Sequence, residues 1–296
     1  MNAVLIIDKP AGLTSHDVVN RVRRILNQRS VGHLGTLDPM ATGVLPLVVG
    51  NLTRLAQFYT ASEKCYEGTI RFGFATDTYD AEGEATSAPQ EVHLKAEDLE
   101  PLCARFRGVV EQTPPPFSAK KINGVPAYKL ARKKKDVELK PVQVEIKEFK
   151  IGEIQADRVG FSARVASGTY MRSVAHDLGQ LLGCGAHLES LRRTAVAEFT
   201  LGDAHTLEQL AQAAGDRGAG NLSDEIFVHP RKLLPQLPSV TTDEATAARI
   251  RAGRTVNLPD LSRARQVKVF SGQRELLAIA TRVAGSLFHP KIVLGG

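Results

Sequence analysis

A chain of 296 residues with 43% apolar and 24% charged side chains can bury an ordinary core, and at about 100–200 residues per domain it has room for two. Its three cysteines, Cys65, Cys103 and Cys184, are odd in number and scattered, so they read as reduced thiols of a cytoplasmic protein and not as a disulfide framework. The net charge of +6 permits a polyanionic partner without requiring one.

The first apolar run, Val4 to Ile7, is closed by Asp8 and Lys9 and reads as a buried strand, not a signal peptide. No run is long enough to span a bilayer. The stretch TSHDVVNRVRRILN predicts a helix, with Thr14 and Asp17 as a capping box and Val18, Val22, Ile25 and Leu26 as one apolar stripe. Strand signals follow in LPLVVG and KCYEGTIRFGFATDT, then a polar turn over 76–84 and a helix over 96–107. Residues 112–140 change character: three prolines in a row precede Lys129, Arg132, Lys133, Lys134, Lys135 and Lys140, as in an exposed excursion. VQVEIKEFKI and RVGFSARVASG alternate as strands, and TYMRSVAHDLGQLLG reads as a helix closed by Gly183 and Gly185. Thr206 and Gln209 form another capping box. HPRKLLPQLPSV, residues 229–240, is the best linker candidate. A short helix over 242–252 and the strand-like QVKVF, ELLAIATRV and FHPKIVL complete the chain. The pattern is a large mixed α/β unit followed by a small β-rich module.

The unusual stretch is GHLGTLDPMATGVLPLVVG, residues 32–50, where one Asp sits among apolar residues and glycines. Pro39 pushes Asp38 toward extended backbone angles, and Gly32, Gly35 and Gly43 let another chain approach closely. A turn Asp is the plain alternative. Desolvation among Leu37, Pro39 and Met40 would favour the neutral acid, whereas a nucleophile must be ionised. A guanidinium alongside would oppose that effect and hold both oxygens, and Arg172 in SGTYMRS is available. Cofactor signals are missing: no GxGxxG, no P-loop and no GxSxG elbow. Cys184 and His187 have zinc-like spacing without a second pair.

These residues carry a resemblance. GHLGTLDPMATGVLPL resembles the signature of the TruB family, the tRNA pseudouridine-55 synthases. LIIDKPAGLTSHDVV, KCYEGTIRFGFATDTYDAEG and SGTYMRSVAHDLGQLLGCGAHLESLRRTAV resemble its other motifs, in family order. The resemblance implies an α+β pseudouridine synthase fold: a central mixed, mostly antiparallel sheet, then a small C-terminal β-rich, PUA-like domain. It implies a catalytic domain over 1–232, with 112–140 as an RNA-contacting thumb loop, and the small domain over 239–296. Asp38 matches the nucleophile, Arg172 its partner, Tyr66 the tyrosine that stacks on the base, and Tyr170 a tyrosine packed beside the site. Leu191 matches an apolar wall of the uracil pocket, His33 the histidine that helps extrude the base, and Lys9 a supporting or phosphate-binding lysine. No metal or organic cofactor is implied. The partner is the tRNA T stem-loop, with no membrane and no small-molecule cofactor, and the expected state is a cytoplasmic monomer. Arg251, Arg254, Arg263, Arg265, Lys268 and Arg274 fit contact with the acceptor stem or an ordinary basic surface.

Two rival readings remain at the level of sequence. An RNA-folding protein without essential turnover would use the same scaffold. A glycoside hydrolase would need a second carboxylate, for which Asp8 and Asp77 are conceivable.

Overall fold

The computed structural model describes residues 1–118, 121–122, 125–126, 139–215, 222, 224–259 and 264–295. The basic run from Lys129 to Lys135, and Arg263, lie outside them.

The larger sheet has ten strands: β1 (Ala3–Lys9), β2 (Val31–His33), β3 (Thr42–Val49), β4 (Lys64–Phe72), β5 (Gly108–Gln112), β8 (Val142–Gln155), β9 (Arg158–Val165), β10 (Ala186–Val196), β11 (Phe199–Thr200) and β12 (Ala204–His205). A separate two-stranded pair, β6 (Lys121–Ile122) and β7 (Val125–Pro126), sits in the 112–140 excursion. The main order is β12-β1-β3-β10-β4-β9-β8-β5, with β2 on β3 and β11 on β10. Among the described residues only the β1–β12 and β3–β10 strand pairs are parallel, so the sheet is mixed and mostly antiparallel.

Among the described residues the α-helices are α1 (Ser15–Leu26), α2 (Ala56–Tyr59), α3 (Ala96–Ala104), α4 (Met171–Leu182), α5 (Leu207–Ala214) and α6 (Glu244–Arg251). Both capping boxes form: Thr14 with Asp17 at α1, and Thr206 with Gln209 at α5. Helix α4 stops at Gly183, whose left-handed φ of 81° an L side chain would resist. Among the described residues no helix is long and apolar enough to cross a membrane.

A strand with one wet face alternates apolar and polar residues; β1 does not, because both its faces are covered. Leu5 and Ile7 pack with Val18, Val22 and Leu26 of α1 and Val174 and Leu178 of α4. Val4 and Ile6 face the other way, into a cluster with Leu233, Leu234, Phe270, Ile279 and Ile292. Those last residues bring in the second sheet, of β13 (Ser239–Thr242), β14 (Val256–Asn257), β15 (Gln266–Ser271), β16 (Glu275–Ala284) and β17 (Leu287–Val293), in the order β13-β15-β16-β17-β14.

The segment predicted as a linker is therefore not a free tether. Leu233 and Leu234 are buried, and the Lys268 ammonium donates to the carbonyls of Arg231 and Leu233 at 2.9 and 2.6 Å. This corrects both readings left open for Lys268, an acceptor-stem contact or an ordinary basic surface: it is buried and fastens the segment to the second sheet. Arg251 is tied to Glu244 and Glu275. Asn2 and Arg54 donate to the carbonyls of Leu294 and Val293, closing the same junction from the other side.

Candidate active site

Asp38 stands in the loop between β2 and β3, and this loop is fixed from three directions. Ser15 at the start of α1 exchanges hydrogen bonds with Leu37: its hydroxyl accepts from the Leu37 amide at 2.8 Å and donates to the carbonyl at 3.1 Å. The Lys9 ammonium, fully buried, donates to the carbonyls of Pro10, Leu13 and Pro39. Arg193 of β10, also fully buried, donates to the carbonyls of Gly35, Thr36 and Val44. All three donors of Lys9 are used on backbone, so it supports the loop and has none left for a phosphate.

Gly43 has φ of 100°, and a Cβ there would lie 2.2 Å from the Arg193 carbonyl oxygen. Both the left-handed backbone and the approach of β3 to β10 need a residue without a side chain. Gly43→Ala is expected to cost at least about 2 kcal/mol through strain and overpacking next to Asp38. A chemical denaturation series checks this, since an unchanged midpoint would mean that β3 can draw away from β10 freely.

Arg172, near the start of α4, reaches Asp38 with two nitrogens: Nε lies 2.9 Å from Oδ2 and Nη2 donates to Oδ1 at 3.2 Å. Its Nη1 pairs with Asp80 Oδ2 at 3.3 Å and donates to the Thr78 carbonyl, and Nη2 also donates to the Phe117 carbonyl. One guanidinium thus serves two carboxylates. Asp80 is 5% exposed and is further held by the Thr78 hydroxyl at 2.6 Å and the Glu82 amide at 3.1 Å. Asp38 is 35% exposed, because its carboxylate opens onto a cleft. Burial pushes the Asp38 pKa up; Arg172 opposes this and Asp80 adds to it, and the net direction is upward. The surrounding protein therefore outweighs the guanidinium.

The cleft holds about 290 Å³ and is lined by Leu37, Asp38, Tyr66, Tyr170, Arg172 and Leu191, among others. Tyr66 projects from β4 directly across from Arg193 of β10, whose guanidinium interacts with the phenol. Burial raises the Tyr66 pKa, and Arg193 works against that. Tyr170 is pinned by Gln112, which donates to its carbonyl and accepts from its amide. Five of the seven residues singled out in the sequence thus meet in one cleft. The other two do not line it: Lys9 lies beneath the loop, and His33 sits half-buried on β2 with Nδ1 unpartnered among the described residues.

Two residues were missed. Asp80 was hidden inside the 76–84 turn, while Asp8 and Asp77 were weighed instead; Asp8 pairs with Arg192 and Asp77 accepts from the Glu84 amide. Arg193 carries no sequence signal beyond its place beside Leu191 in LESLRR.

Residues 23–171 match the TruB family pseudouridylate synthase N-terminal domain, and residues 172–227 the tRNA pseudouridylate synthase B C-terminal domain. The tRNA pseudouridine synthase B of Solibacter usitatus is 53% identical over 298 residues, covering 99% of this chain and all of that one. Its namesake from Geobacter sulfurreducens is 41% identical, covering 97% of this chain and 94% of its own. Among solved structures, a chain in a Cbf5-Nop10-Gar1 complex superposes with a TM-score of 0.70 at 25% identity, covering 96% of this chain and 79% of that one. A chain in an H/ACA ribonucleoprotein bound to a substrate RNA containing 2′-deoxyuridine gives 0.72 at 22% identity, covering 99% and 85%, and so shares the fold. With both domain matches contiguous and relatives aligned end to end, this chain belongs to the TruB family of pseudouridylate synthases.

Proposed function

We propose that this chain isomerises a uridine of tRNA to pseudouridine, and that its target is the T-loop uridine at position 55. The observation that carries the reading is a single carboxylate, Asp38, gripped by Arg172 in a cleft that Tyr66 and Leu191 shape for a flat base. The target nucleotide leaves its stack at a cost of a few kcal/mol, and stacking on Tyr66 returns about 1–3 kcal/mol of it. His33, on the strand leading into the loop, helps draw the base out. Leu191 and Tyr170 bound the space in which the uracil turns.

The ionised Asp38 adds to the nucleotide and the N1–C1′ bond breaks. The base rotates, C5 bonds to C1′, and the carboxylate is released. C5 loses its proton and N1 gains one, so atoms and charge balance as an isomerisation requires. Arg172 aims the carboxylate with two contacts, and Asp80 holds Arg172. The 1–232 unit would carry the reaction. The 112–140 thumb and the 239–296 unit would meet the RNA, in a cytoplasmic monomer bound to the T stem-loop.

The reaction needs Asp38 ionised while its surroundings raise its pKa. The rate should rise with pH through the folded-state pKa, so the acid limb falls above the ordinary carboxylate value of about 3.9. Asp80→Asn removes one of the charges that raise it and should move that limb to lower pH. Single-turnover rates from pH 4 to 8 read both; a limb at the ordinary value would contradict the buried geometry.

Mass-spectrometric mapping of uridine isomers in tRNA incubated with the protein tests the function itself. A single new pseudouridine at position 55 supports the reading. Conversion elsewhere would reassign the substrate, and none would remove the reading.

A further inference from the structure

Lys64 begins β4, two residues before Tyr66, so both side chains project to the same face and line the same cleft. Among the described residues its half-buried ammonium makes one hydrogen bond, to the Ser62 carbonyl at 2.7 Å. Two of its three donors are left over. Among the described residues no carboxylate lies within ion-pair distance of it; neighbouring Glu63 is engaged by Lys147 and Arg164.

The charge that acts on it is of the same sign. Lys64 Cε and Arg193 Nη1 lie 3.7 and 3.6 Å from the point where a Cβ on Gly35 would be. Burial and Arg193 together push the Lys64 pKa down to about 8. Asp38 is already taken by Arg172, so the carboxylate of the cleft does not balance this wall. A half-buried cation beside another cation destabilises the free protein unless an anion completes it.

We propose that Lys64 binds a phosphodiester of the RNA strand next to the target uridine. This rests on the function proposed above: a uridine swung into the cleft places its base at Asp38 and leaves its two flanking phosphates at the mouth. Each nucleotide brings that anion whatever its base, so the contact adds affinity and fixes depth of entry without reading sequence. Thr36, which is exposed, lines the same cleft.

The test uses the full chain, a T stem-loop RNA, and two RNAs each with one neutral methylphosphonate at a linkage flanking the target. Binding is followed by fluorescence anisotropy over a salt series. Lys64→Met is expected to weaken binding by about tenfold at low salt, as loss of one charge-assisted contact does. The slope of log K against log salt should fall by about 0.7–0.9. One methylphosphonate should cause the same loss with the wild type and no further loss with Lys64→Met. Lys64→Arg, which keeps the charge, should bind within about threefold of wild type. The melting temperature of Lys64→Met should equal or exceed that of wild type, which separates a lost ligand from a damaged fold. An unchanged salt slope, or losses that multiply for both methylphosphonates, would overturn the proposal. If the wild type binds this RNA but converts no uridine, the function fails instead, and the binding arms still report on Lys64.

Discussion

Asp38→Asn is expected to abolish pseudouridine formation, by on the order of 10⁴-fold or more, while tRNA binding stays within a few-fold of wild type. The amide matches the carboxylate in size and still offers Arg172 an oxygen, so the loop anchored by Ser15, Lys9 and Arg193 keeps its shape. What disappears is the nucleophile. Arg172 stays compensated by Asp80, so no buried cation is stranded. Because burial already disfavours the ionised Asp38, the neutral variant should melt no lower than wild type. Tritium release from C5-labelled uridine in tRNA reads the chemistry, and a binding titration reads the affinity. Turnover at a few per cent of wild type would remove Asp38 from its role. This pair of measurements also separates an enzyme from an RNA-folding protein without turnover, which would bind tRNA alike with either side chain and release no tritium with either.

The elements legible in the sequence are those whose cause is local. The capping boxes at Thr14 and Thr206 form because a side chain answers an amide three residues on. The unbroken run Val4 to Ile7 marks a strand covered on both faces. β10, central in the sheet between β3 and β4, was unreadable for a physical reason: Glu189, Ser190, Arg192, Arg193 and Thr194 break any alternation, and two register shifts break the period. Arg193 looks like a surface charge in sequence, yet three backbone carbonyls and a phenol replace its water. Lys268 misled in the same way. Charge in a sequence reports the presence of a cation and not whether partners far along the chain have enclosed it. Gly43 was legible in part: glycine beside the motif implied a close approach, but only the fold names Arg193 as the backbone approached. Asp80 needed three dimensions, because its pairing with Arg172 spans 92 residues of sequence.

Arg172→Met should damage both fold and chemistry, and the damage can be divided. Methionine keeps the packing of the buried stem but withdraws the charge that faces Asp38 and Asp80 together. Removing one member of a buried ion pair costs about 3–5 kcal/mol; Asp38 is one-third open to water, so about 2–3 kcal/mol is expected. Activity near neutral pH should fall by on the order of 10³-fold, because the carboxylate loses both its aim and the attraction that opposes burial. Without that attraction the Asp38 pKa climbs further, so the acid limb of the rate profile moves to higher pH and part of the loss is recovered as pH rises. Arg172→Lys separates the two effects: it restores charge but not the two-pronged grip, so its limb should lie near that of wild type while its plateau stays low. Adding Asp80→Asn to Arg172→Met removes one stranded carboxylate and should return part of the lost stability without returning activity. A loss of rate in Arg172→Met with no movement of the acid limb would mean that the guanidinium positions Asp38 without influencing its charge.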